Sequence, residues 1–567
     1  MKKIIFAALL SAMATAGAGA QNMYDALTFG QNNYTGTARS LGMGNAVTSV
    51  GGDIGSVIFN PAGSAVAGYS QFTLSPGLII SSVNASGSEE YGFENRNRTL
   101  KAGMTMPNFG FVLRNSTGRR SGIVNWSFGF IGNATNYYRN SLEASGTNSN
   151  TSYAGYMAAM ADNYTLDEIF RYRELQDLAV AYDSFIISDY NDPRLGSGFI
   201  GTTEKLFENG DIRLAGPLRQ EFIRSTSGNK YDYLFNFGAN VQNVLYFGAN
   251  IGVALLDYSS SEYIREKSID RQLFDIPFDD GTVMYFNNLE HLYTYYASGS
   301  GIYAKIGAIL TPGNGLRIGA AFETPTRLDI RERWFYEAGT DFFTESYYAP
   351  DIHDDNPDML ESSYRLRTPY KVNAGISYTF GRVGMISADY EFQDLGSMKF
   401  KMPAGYRMNN DAFYYDNHAL NLFSGGQHTF RIGGEFKPVP MFTVRAGFNY
   451  ISSPEYCLYD SIGAVYASDY YDMASFAESG ELSYGEFDRW EASLYDKKRI
   501  GEGTHSITFG LGYSSGKSFF ADVAFRARRL PAEYVMPYGN YIPDFSSPVI
   551  ESLAKTFDVV FTAGWRF

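Results

Sequence analysis

Residues Phe557 to Phe567 alternate apolar and polar side chains with a period of two, and this run constrains the fold more than any other part of the sequence. Successive side chains of a β-strand point to opposite faces, so the run predicts a strand with one apolar and one polar face. Only Val560 interrupts the polar face. A terminal strand that ends on an aromatic residue is typical of bacterial outer-membrane barrels, whose apolar face contacts lipid. We therefore expect Trp565 and Phe567 to belong to the strand that closes a barrel.

The same alternation recurs in pairs of segments that short turns connect, which is the signature of β-hairpins. The predicted hairpins pair 233–241 with 245–253, 302–310 with 316–322, 372–380 with 386–393, 429–437 with 442–450, and 507–513 with 519–527. Further strands are predicted at 71–83, 108–115, 122–132 and 556–567. Together they give about fourteen strands, each near the length that a tilted membrane strand needs.

Short and long connections alternate strictly along these strands. The long ones cover 84–107, 133–230, 257–299, 325–369, 395–426, 452–504 and 529–555. Short periplasmic turns and long extracellular loops are typical of outer-membrane barrels, whereas a soluble β-sandwich rarely places all its long loops at one end. The predicted fold class is therefore all-β, a transmembrane antiparallel barrel. Charged residues of the polar faces, such as Arg431, Arg445, Asp389 and Asp522, are expected to point into the lumen and to pair there.

The first twenty residues predict a secretory signal peptide. Lys2 and Lys3 precede the apolar run 4–10, and Ala18-Gly19-Ala20 forms a small-residue cleavage site that leaves Gln21 as the mature start. We therefore expect Sec-dependent export and a multi-pass location in the cell outer membrane. The barrel assembly machinery and outer-membrane lipid are then expected partners.

Composition agrees with an exported barrel. No later segment reaches the ~18 continuous apolar residues of a membrane helix, and the single cysteine excludes an internal disulfide framework. The chain carries 44 tyrosines and 43 phenylalanines, which aromatic girdles at the membrane interfaces would use. A formal net charge of −14 argues against a nucleic-acid partner, because phosphates select basic surfaces.

Residues 21–68 precede the barrel domain at 69–567 and do not alternate. This segment is rich in Gly, Asn, Ala and Ser, and Asn60-Pro61 starts a turn. No strand precedes its glycines, so a phosphate-binding loop is not expected. A compact hatch inside the lumen is one interpretation, and a periplasmic linker is the other.

The stretch Gly36 to Ala46, Asp53 and Asn60-Pro61-Ala62-Gly63 resembles the N-terminal hatch of the FadL/TodX family of outer-membrane transporters for long-chain fatty acids and aromatic hydrocarbons. The segment Leu316 to Pro325 resembles a recurrent strand of that family that ends in proline. The resemblance implies a fourteen-stranded barrel, a lumenal hatch and passage of hydrophobic ligands, which family members are thought to release through an opening in the wall. The hatch residues that we assign to the gate on this resemblance are Gly42, Gly44, Asn45, Asp53, Asn60, Pro61 and Ala62.

The long connection 133–230 makes this chain longer than the family pattern and contains a predicted helix. Thr165-Leu166-Asp167-Glu168 reads as a capping box, and apolar residues follow at helical spacing as far as Tyr182. One interpretation is an extracellular surface that collects hydrophobic ligand; the other is a helix that caps the barrel mouth with its own small core. The residues of the candidate ligand surface are Met157, Met160, Leu166, Ile169 and Phe170.

No pattern predicts a cofactor or an enzyme. The five histidines show no i,i+4 pair, and no nucleophile elbow is present. The acid-rich loop 350–358 offers clustered oxygens but lacks the ligand spacing of a calcium loop, so a solvated surface is expected. Residues 411–418 read as a polar loop.

These observations favour an outer-membrane channel for passive uptake of hydrophobic molecules such as long-chain fatty acids. The alternative is a sealed barrel whose loops dock partners in protein secretion or surface assembly, a role that related barrels have. A lipid-modifying enzyme is a more distant third.

Overall fold

The computed structural model describes residues 22–567 except 88–91, 193–195, 208–209, 278–280, 351–358, 404–409, 460–463, 467–469, 471–495, 517 and 543–544. The predicted signal peptide and all but the first residue of the acid-rich loop 350–358 therefore lie outside the described residues.

Eight helices occur in the described residues, all of them short. They are α1 (Met23–Gly30), α2 (Ala38–Gly42), α3 (Ser56–Phe59), α4 (Gly63–Val66), α5 (Tyr153–Ala161), α6 (Leu166–Arg171), α7 (Gln176–Asp183) and α8 (Tyr414–Phe423). None of these combines the length and the apolar character that crossing a bilayer demands.

The strands are, in chain order, β1 (Gln71–Ser86), β2 (Asn97–Ser116), β3 (Ile123–Tyr137), β4 (Asn140–Asn148), β5 (Ile187–Asp192), β6 (Gly196–Gly201), β7 (Glu204–Leu206), β8 (Ile212–Leu214), β9 (Leu218–Val241), β10 (Leu245–Ser268), β11 (Asp275–Pro277), β12 (Val283–Gly313), β13 (Leu316–Glu323), β14 (Arg327–Phe342), β15 (Ser346–Ala349), β16 (Leu360–Arg367), β17 (Lys371–Phe380), β18 (Gly384–Asp394), β19 (Lys399–Lys401), β20 (Gly426–Val439), β21 (Phe442–Ile451), β22 (Tyr456–Tyr459), β23 (Ala464–Val465), β24 (Asp496–Arg499), β25 (Thr504–Ser514), β26 (Phe519–Val535) and β27 (Ile550–Arg566).

The long strands close into an antiparallel barrel with fourteen strand positions around its wall, which confirms the predicted fold class. We call each of these positions a stave, because two of them are shared by two separate strands of the chain. The order around the barrel is β1, β2, β3, β9, β10, β12, β13 with β14, β17 with β16, β18, β20, β21, β25, β26 and β27. Pairing of β27 with β1, for example Arg566 with Gln71, closes the ring. Two neighbouring staves are interrupted at the same height, at 324–326 and 368–370, where Pro325 and Pro369 lack the amide hydrogen that a ladder requires.

Near the short turns the barrel wall is apolar outside and polar inside, as the alternation predicted. We call this part the lower region; on β10 it runs from Leu245 to Leu255. Its outward side chains form an exposed apolar band that includes Phe247, Ile251, Leu255, Ile302, Ile306, Leu310, Ile376, Phe430, Ile507 and Phe561. A barrel that exposes such a band places it in lipid.

Several strands continue well beyond this band into what we call the upper region. A strand of the length of β10 spans about 80 Å, whereas an apolar band needs only about 25 Å. The predicted loop boundaries at 133–230 and 257–299 are therefore wrong: β9 starts at Leu218, and β10 continues to Ser268. Beyond the band the polarity of the two faces reverses, which hides the continuation from a search for lipid-facing alternation.

The upper region contains a hydrophobic core of ordinary kind. Ile169, Leu178 and Phe222 are buried there with residues of α5 and of the barrel strands. The capping box at Thr165 is confirmed, with Thr165 Oγ1 accepting from the Glu168 amide. The predicted continuous helix as far as Tyr182 is wrong, because the chain leaves helical geometry at Tyr172 between α6 and α7.

The expected polar loop at 411–418 is also wrong. Asn410–Phe413 form a 3₁₀ turn, and α8 starts at Tyr414. Ala419, Leu420 and Phe423 of α8 are buried beside α1, so packing against another helix stabilises a segment whose polar composition suggested a loop.

Candidate functional site

Residues 22–68, which we call the lumen segment, lie inside the barrel. Apolar side chains of this segment, including Val47, Ile54 and Phe59, are buried against inward-facing residues of the wall such as Leu234 and Tyr303. The segment folds locally through caps: Asn22 and Asp25 form a capping box at α1, and Thr37 caps α2. These contacts disfavour a free periplasmic linker, and the role of the segment as a hatch stays a prediction.

A row of glycines allows the lumen segment to touch the wall. A Cβ built on Gly433 would stand 2.1 Å from the Met43 carbonyl oxygen, and one on Gly447 would stand 2.3 Å from the Gly44 amide nitrogen. Both distances are below any tolerable contact with rigid backbone. Gly248 and Gly319 approach backbone atoms of the segment in the same way, and Gly238 and Gly307 approach its side chains. We call these six residues the glycine girdle.

Polar side chains of the wall also bond to backbone groups of the segment. Lys305 Nζ donates to the Ile58 carbonyl at 2.7 Å, and Asp389 accepts from the Thr48 amide at 2.7 Å. Arg526 donates to the Tyr34 carbonyl at 2.9 Å. Many backbone groups of the lumen segment have no partner within a helix or strand of the segment. Side chains of the wall bond to these buried donors and acceptors, which would be costly to leave without a partner.

Buried ion pairs surround these bonds. Glu323 pairs with Lys305 at 2.7 Å and with Lys371 at 3.0 Å, and all three side chains are almost fully buried. A second network joins Arg445 to Glu435 at 2.8 Å, while Arg39 of the lumen segment reaches the same carboxylate at 3.0 Å. The expected pairing of lumenal charges is confirmed for Arg431, which pairs with Glu391, and for Arg445, which also pairs with Asp522, whereas Asp389 bonds to the Thr48 amide instead.

The residues assigned to the gate all lie in this interface or inside the lumen segment. Asn60 Nδ2 lies within hydrogen-bond distance of the carbonyls of Thr48, Ala308 and Ala320, at 2.9, 3.0 and 3.3 Å. The Pro61 carbonyl accepts from Asn236 at 3.0 Å. Asn60 therefore connects the segment to β12 and β13.

The other assigned residues organise the segment itself. Asn45 Nδ2 donates to the Tyr34 carbonyl at 3.0 Å, and Asp53 accepts from Thr37 at 2.7 Å. The Ala62 amide donates to Asn60. Gly44 adopts a left-handed φ of +63°, whereas Gly42 packs on β25.

The two residues assigned to barrel closure lie at the seam. Trp565 faces outward and packs on Phe519, with ring centroids 5.2 Å apart. Phe567 and Ser70 exchange two backbone hydrogen bonds of 3.0 and 3.1 Å, beside the point where the lumen segment joins β1.

A cavity of about 650 Å³, which we call the chamber, lies between α1 on one side and α5 and α7 on the other. Nine tyrosines and Trp334 line it, and Leu142, Phe222 and Ile264 add aliphatic and aromatic surface. Of the candidate ligand surface, Met157 and Met160 line the chamber. Leu166 and Ile169 do not line it but pack in the hydrophobic core of the upper region, to which Met157 also belongs. Phe170 is exposed and contacts Tyr182.

The chamber also contains charges. Arg224 pairs with Glu533 and Glu262. Arg528 donates to Thr556 Oγ1 at 3.0 Å and has no ion-pair partner among the described residues. Burial raises the pKa of Asp177, in α7, to about 6. The lining carries six carboxylates and four arginines, so the place in the chamber that suits an anionic group is beside Arg528.

Metal chemistry finds no support in the described part of the chain, where no three His, Cys, Asp or Glu side chains stand close enough to share an ion. The chamber has no signal in the sequence, because its lining comes from many separate segments. The repeated inward glycines were a usable signal for the girdle, since glycine is otherwise unfavourable inside strands.

Comparison with protein-family models gives no match, and neither does comparison with curated protein sequences. Among solved structures, the chain is similar to a Pseudomonas aeruginosa FadL homologue, at 10% identity over 95% of this chain and 100% of that one, with a TM-score of 0.49. It is also similar to the Pseudomonas putida toluene transporter TodX, at 13% identity over 95% and 100%, with a TM-score of 0.45. The Ralstonia pickettii toluene transporter TbuX matches at 14% identity over 94% and 98%, with a TM-score of 0.43.

Proposed function

We propose that this protein is an outer-membrane channel that takes up hydrophobic molecules, and that long-chain fatty acids are its ligands. The observation that carries the proposal is the chamber. Its volume of about 650 Å³ lies within the range of small-molecule sites, and residues of α1 in the lumen segment form part of its lining.

The lining of the chamber favours an amphipathic ligand. Met157 and Met160 supply adaptable apolar surface, which suits a flexible chain. Arg528 supplies a guanidinium without a carboxylate partner, and a guanidinium binds a carboxylate through charge-assisted hydrogen bonds. We therefore place the ligand head at Arg528 and the chain against the methionines.

Ligand binding is testable through Trp334, which lines the chamber. The purified full chain is titrated with oleate and with oleyl alcohol, which has the same chain length and double bond without the carboxylate, while tryptophan fluorescence is recorded. Substitution Arg528→Gln is expected to weaken oleate binding about tenfold, the equivalent of one lost charge-assisted bond, and to leave oleyl alcohol binding unchanged. A Trp334→Phe variant identifies the reporting residue.

Arg529 offers a matched control, because it is the next residue along β26 and faces outward, with its side chain 63% exposed. Arg529→Gln should bind oleate like the unsubstituted protein. If neither ligand binds, or if a deletion strain takes up oleate as well as the complemented strain, the chamber is not a transport site and the docking alternative gains support.

The gate is the second part of the proposal. Because Asn60 holds the segment to two wall strands, Asn60→Ala should loosen the segment and raise ion conductance of the reconstituted protein above that of the parent. Ser56→Ala is the control, since the Ser56 hydroxyl donates to the Asp53 carbonyl of its own segment. Unchanged conductance in Asn60→Ala would remove Asn60 from the gate.

A further inference from the structure

A cluster of positive charges lies on the outer surface of the barrel, just beyond the apolar band. We call it the basic patch; its residues are Arg327, Arg331, Arg333, Arg365, Arg367, Lys399 and Lys401. Two carboxylates stand among these cations on the same face: Asp329, which pairs with Arg365 at 2.7 Å, and Glu361, which pairs with Arg331 at 2.6 Å. Asp257 faces this surface from two strands away. In a chain of formal charge −14, the patch is a local reversal of sign.

The patch contains like charges in directly opposed positions. Arg327 pairs in register with Arg367, and Arg367 pairs in register with Lys399 on its other side. Arg365 likewise stands opposite Lys401. Like charges that face each other across strands are destabilising. Three consecutive strands therefore carry an unfavourable arrangement, which an anion between the cations would relieve.

The cations also enclose a space. A cavity of about 300 Å³ is lined, in the part of the chain that the structure describes, by Arg327, Arg365, Arg367 and Lys401 alone. Among the described residues, Arg327, Arg367, Lys399 and Lys401 make no ion pair. Guanidinium groups present paired donors that match phosphate oxygens, so the cavity has the chemistry of a phosphate site.

The position of the patch indicates the source of the phosphate. Arg327 stands in register with Ile302, an outward residue of the apolar band that is 58% exposed. Tyr370 and Phe322 stack at the same rim, with centroids 6.1 Å apart, and aromatic residues mark the membrane interface. The patch lies on the side of the long loops, which is the outer leaflet side, at the height of lipid headgroups.

We propose that the basic patch binds the phosphate groups of an outer-leaflet lipid, with Arg327, Arg367, Lys399 and Lys401 as its main contacts. A lipid held there covers the outer wall next to the interrupted staves at 324–326 and 368–370. The four main contacts do not line the chamber, so lipid binding at the patch can be true or false independently of fatty-acid uptake.

The test uses the purified full chain in detergent and native mass spectrometry, with diphosphorylated hexa-acyl lipid A and its dephosphorylated form as probes. The unsubstituted protein should retain the phosphorylated lipid at least about tenfold better, because two or more charge-assisted contacts distinguish the probes. The variant Arg327→Gln/Arg367→Gln should lose this preference. The variant Arg219→Gln/Lys267→Gln should keep it, since it removes another in-register like-charge pair that lies far above the band.

A second measurement separates binding from folding. In detergent without lipid, Arg327→Gln/Arg367→Gln should unfold at the same temperature as the parent or higher, because repulsion has been removed. Equal retention of both lipid forms, or equal loss in the two double variants, would overturn the proposal. Inorganic phosphate at the same molarity should bind much more weakly than the lipid; equal binding would show that the site takes free phosphate and would overturn the assignment to a lipid.

Discussion

The lower and upper regions of the barrel use the same strands under opposite rules. On β10, Phe247 and Ile251 point outward and Asn250 points inward, whereas further along Asp257 points outward and Leu256 inward. The lower region meets lipid outside and packs a polar wall against backbone groups inside. The upper region meets water outside and packs a hydrophobic core inside, as a soluble protein does. The solvent beside each segment, rather than the strand itself, decides which residues belong inside.

The difference teaches where each region obtains its stability. Hydrogen bonds and ion pairs connect the lumen segment to the wall in the lower region. In the upper region, burial of apolar side chains holds the helices α5, α6 and α7 against the strands. Each region should therefore respond to a different kind of substitution.

The largest effect is expected from Glu323→Gln in the lower region. This substitution leaves Lys305 and Lys371 buried without a carboxylate, and breaking a buried pair costs about 3–5 kcal/mol. Urea unfolding of the folded barrel, followed by its mobility shift in electrophoresis, measures the change. Glu361→Gln, which breaks an exposed pair, should cost less than about 1 kcal/mol; equal costs would show that the buried network does not hold the lower region.

The upper region should instead be sensitive to cavities. Leu178 is fully buried in the loop core, so Leu178→Ala should destabilise that core by about 3 kcal/mol. Hydrogen exchange is expected to accelerate in α5 to α7 while β20 and β21 stay protected. If exchange also rose throughout the lower region, the two regions would be one cooperative unit.

The glycine girdle provides a test of intermediate size. Gly433→Ala would force a Cβ onto the Met43 carbonyl, and overpacking of this kind costs about 2 kcal/mol. Gly434→Ala is the matched control, because a Cβ at the next residue has its nearest neighbour 3.6 Å away. Limited proteolysis should cut the lumen segment faster in the first variant only. Equal rates would mean that the segment does not depend on close contact with the wall.

The smallest effect is a pH dependence confined to the upper region. Burial raises the pKa of Glu204, in β7, from 4.5 to about 7. The folded upper region therefore binds a proton at Glu204 that the unfolded chain releases. The free energy of unfolding of this region falls by on the order of 2 kcal/mol as the pH rises from about 5 to 7.5. Glu204→Gln should reduce this dependence in hydrogen exchange of the upper region, with the remainder due to Asp177 and Glu266, whose pKa values burial also raises, and the exposed Glu174→Gln should leave it unchanged. A loop that gained stability over this pH range would contradict the assignment.

The sequence predicted the lower region well, because lipid requires apolar residues at every second position of each strand. The short turns were equally readable; Gln242 and Asn243, for example, both adopt the left-handed conformation of a tight hairpin turn. The motif at 60–63 indicates a hatch, which stays a prediction; in the structure Asn60 of this motif bonds to carbonyls of two wall strands.

The upper region and the chamber were not predictable in the same way. The reversal of polarity near Leu256 breaks a pattern defined by lipid contact, so the sequence beyond it predicts loops where the strands continue. The chamber brings together residues as distant as Tyr24, Met157 and Arg528, and no local spacing encodes such a meeting. The roles of the assigned gate and ligand residues remain predictions for the experiments above.

The seam between β1 and β27 has a consequence for biogenesis. The lumen segment precedes β1, and the last residue bonds to Ser70, where that segment enters the first strand. The pairing that closes the barrel therefore forms where the lumen segment enters β1. We expect folding of the lumen segment and pairing of β1 with β27 to be coupled steps. A chain whose lumen segment cannot fold would then remain an open sheet that proteases degrade.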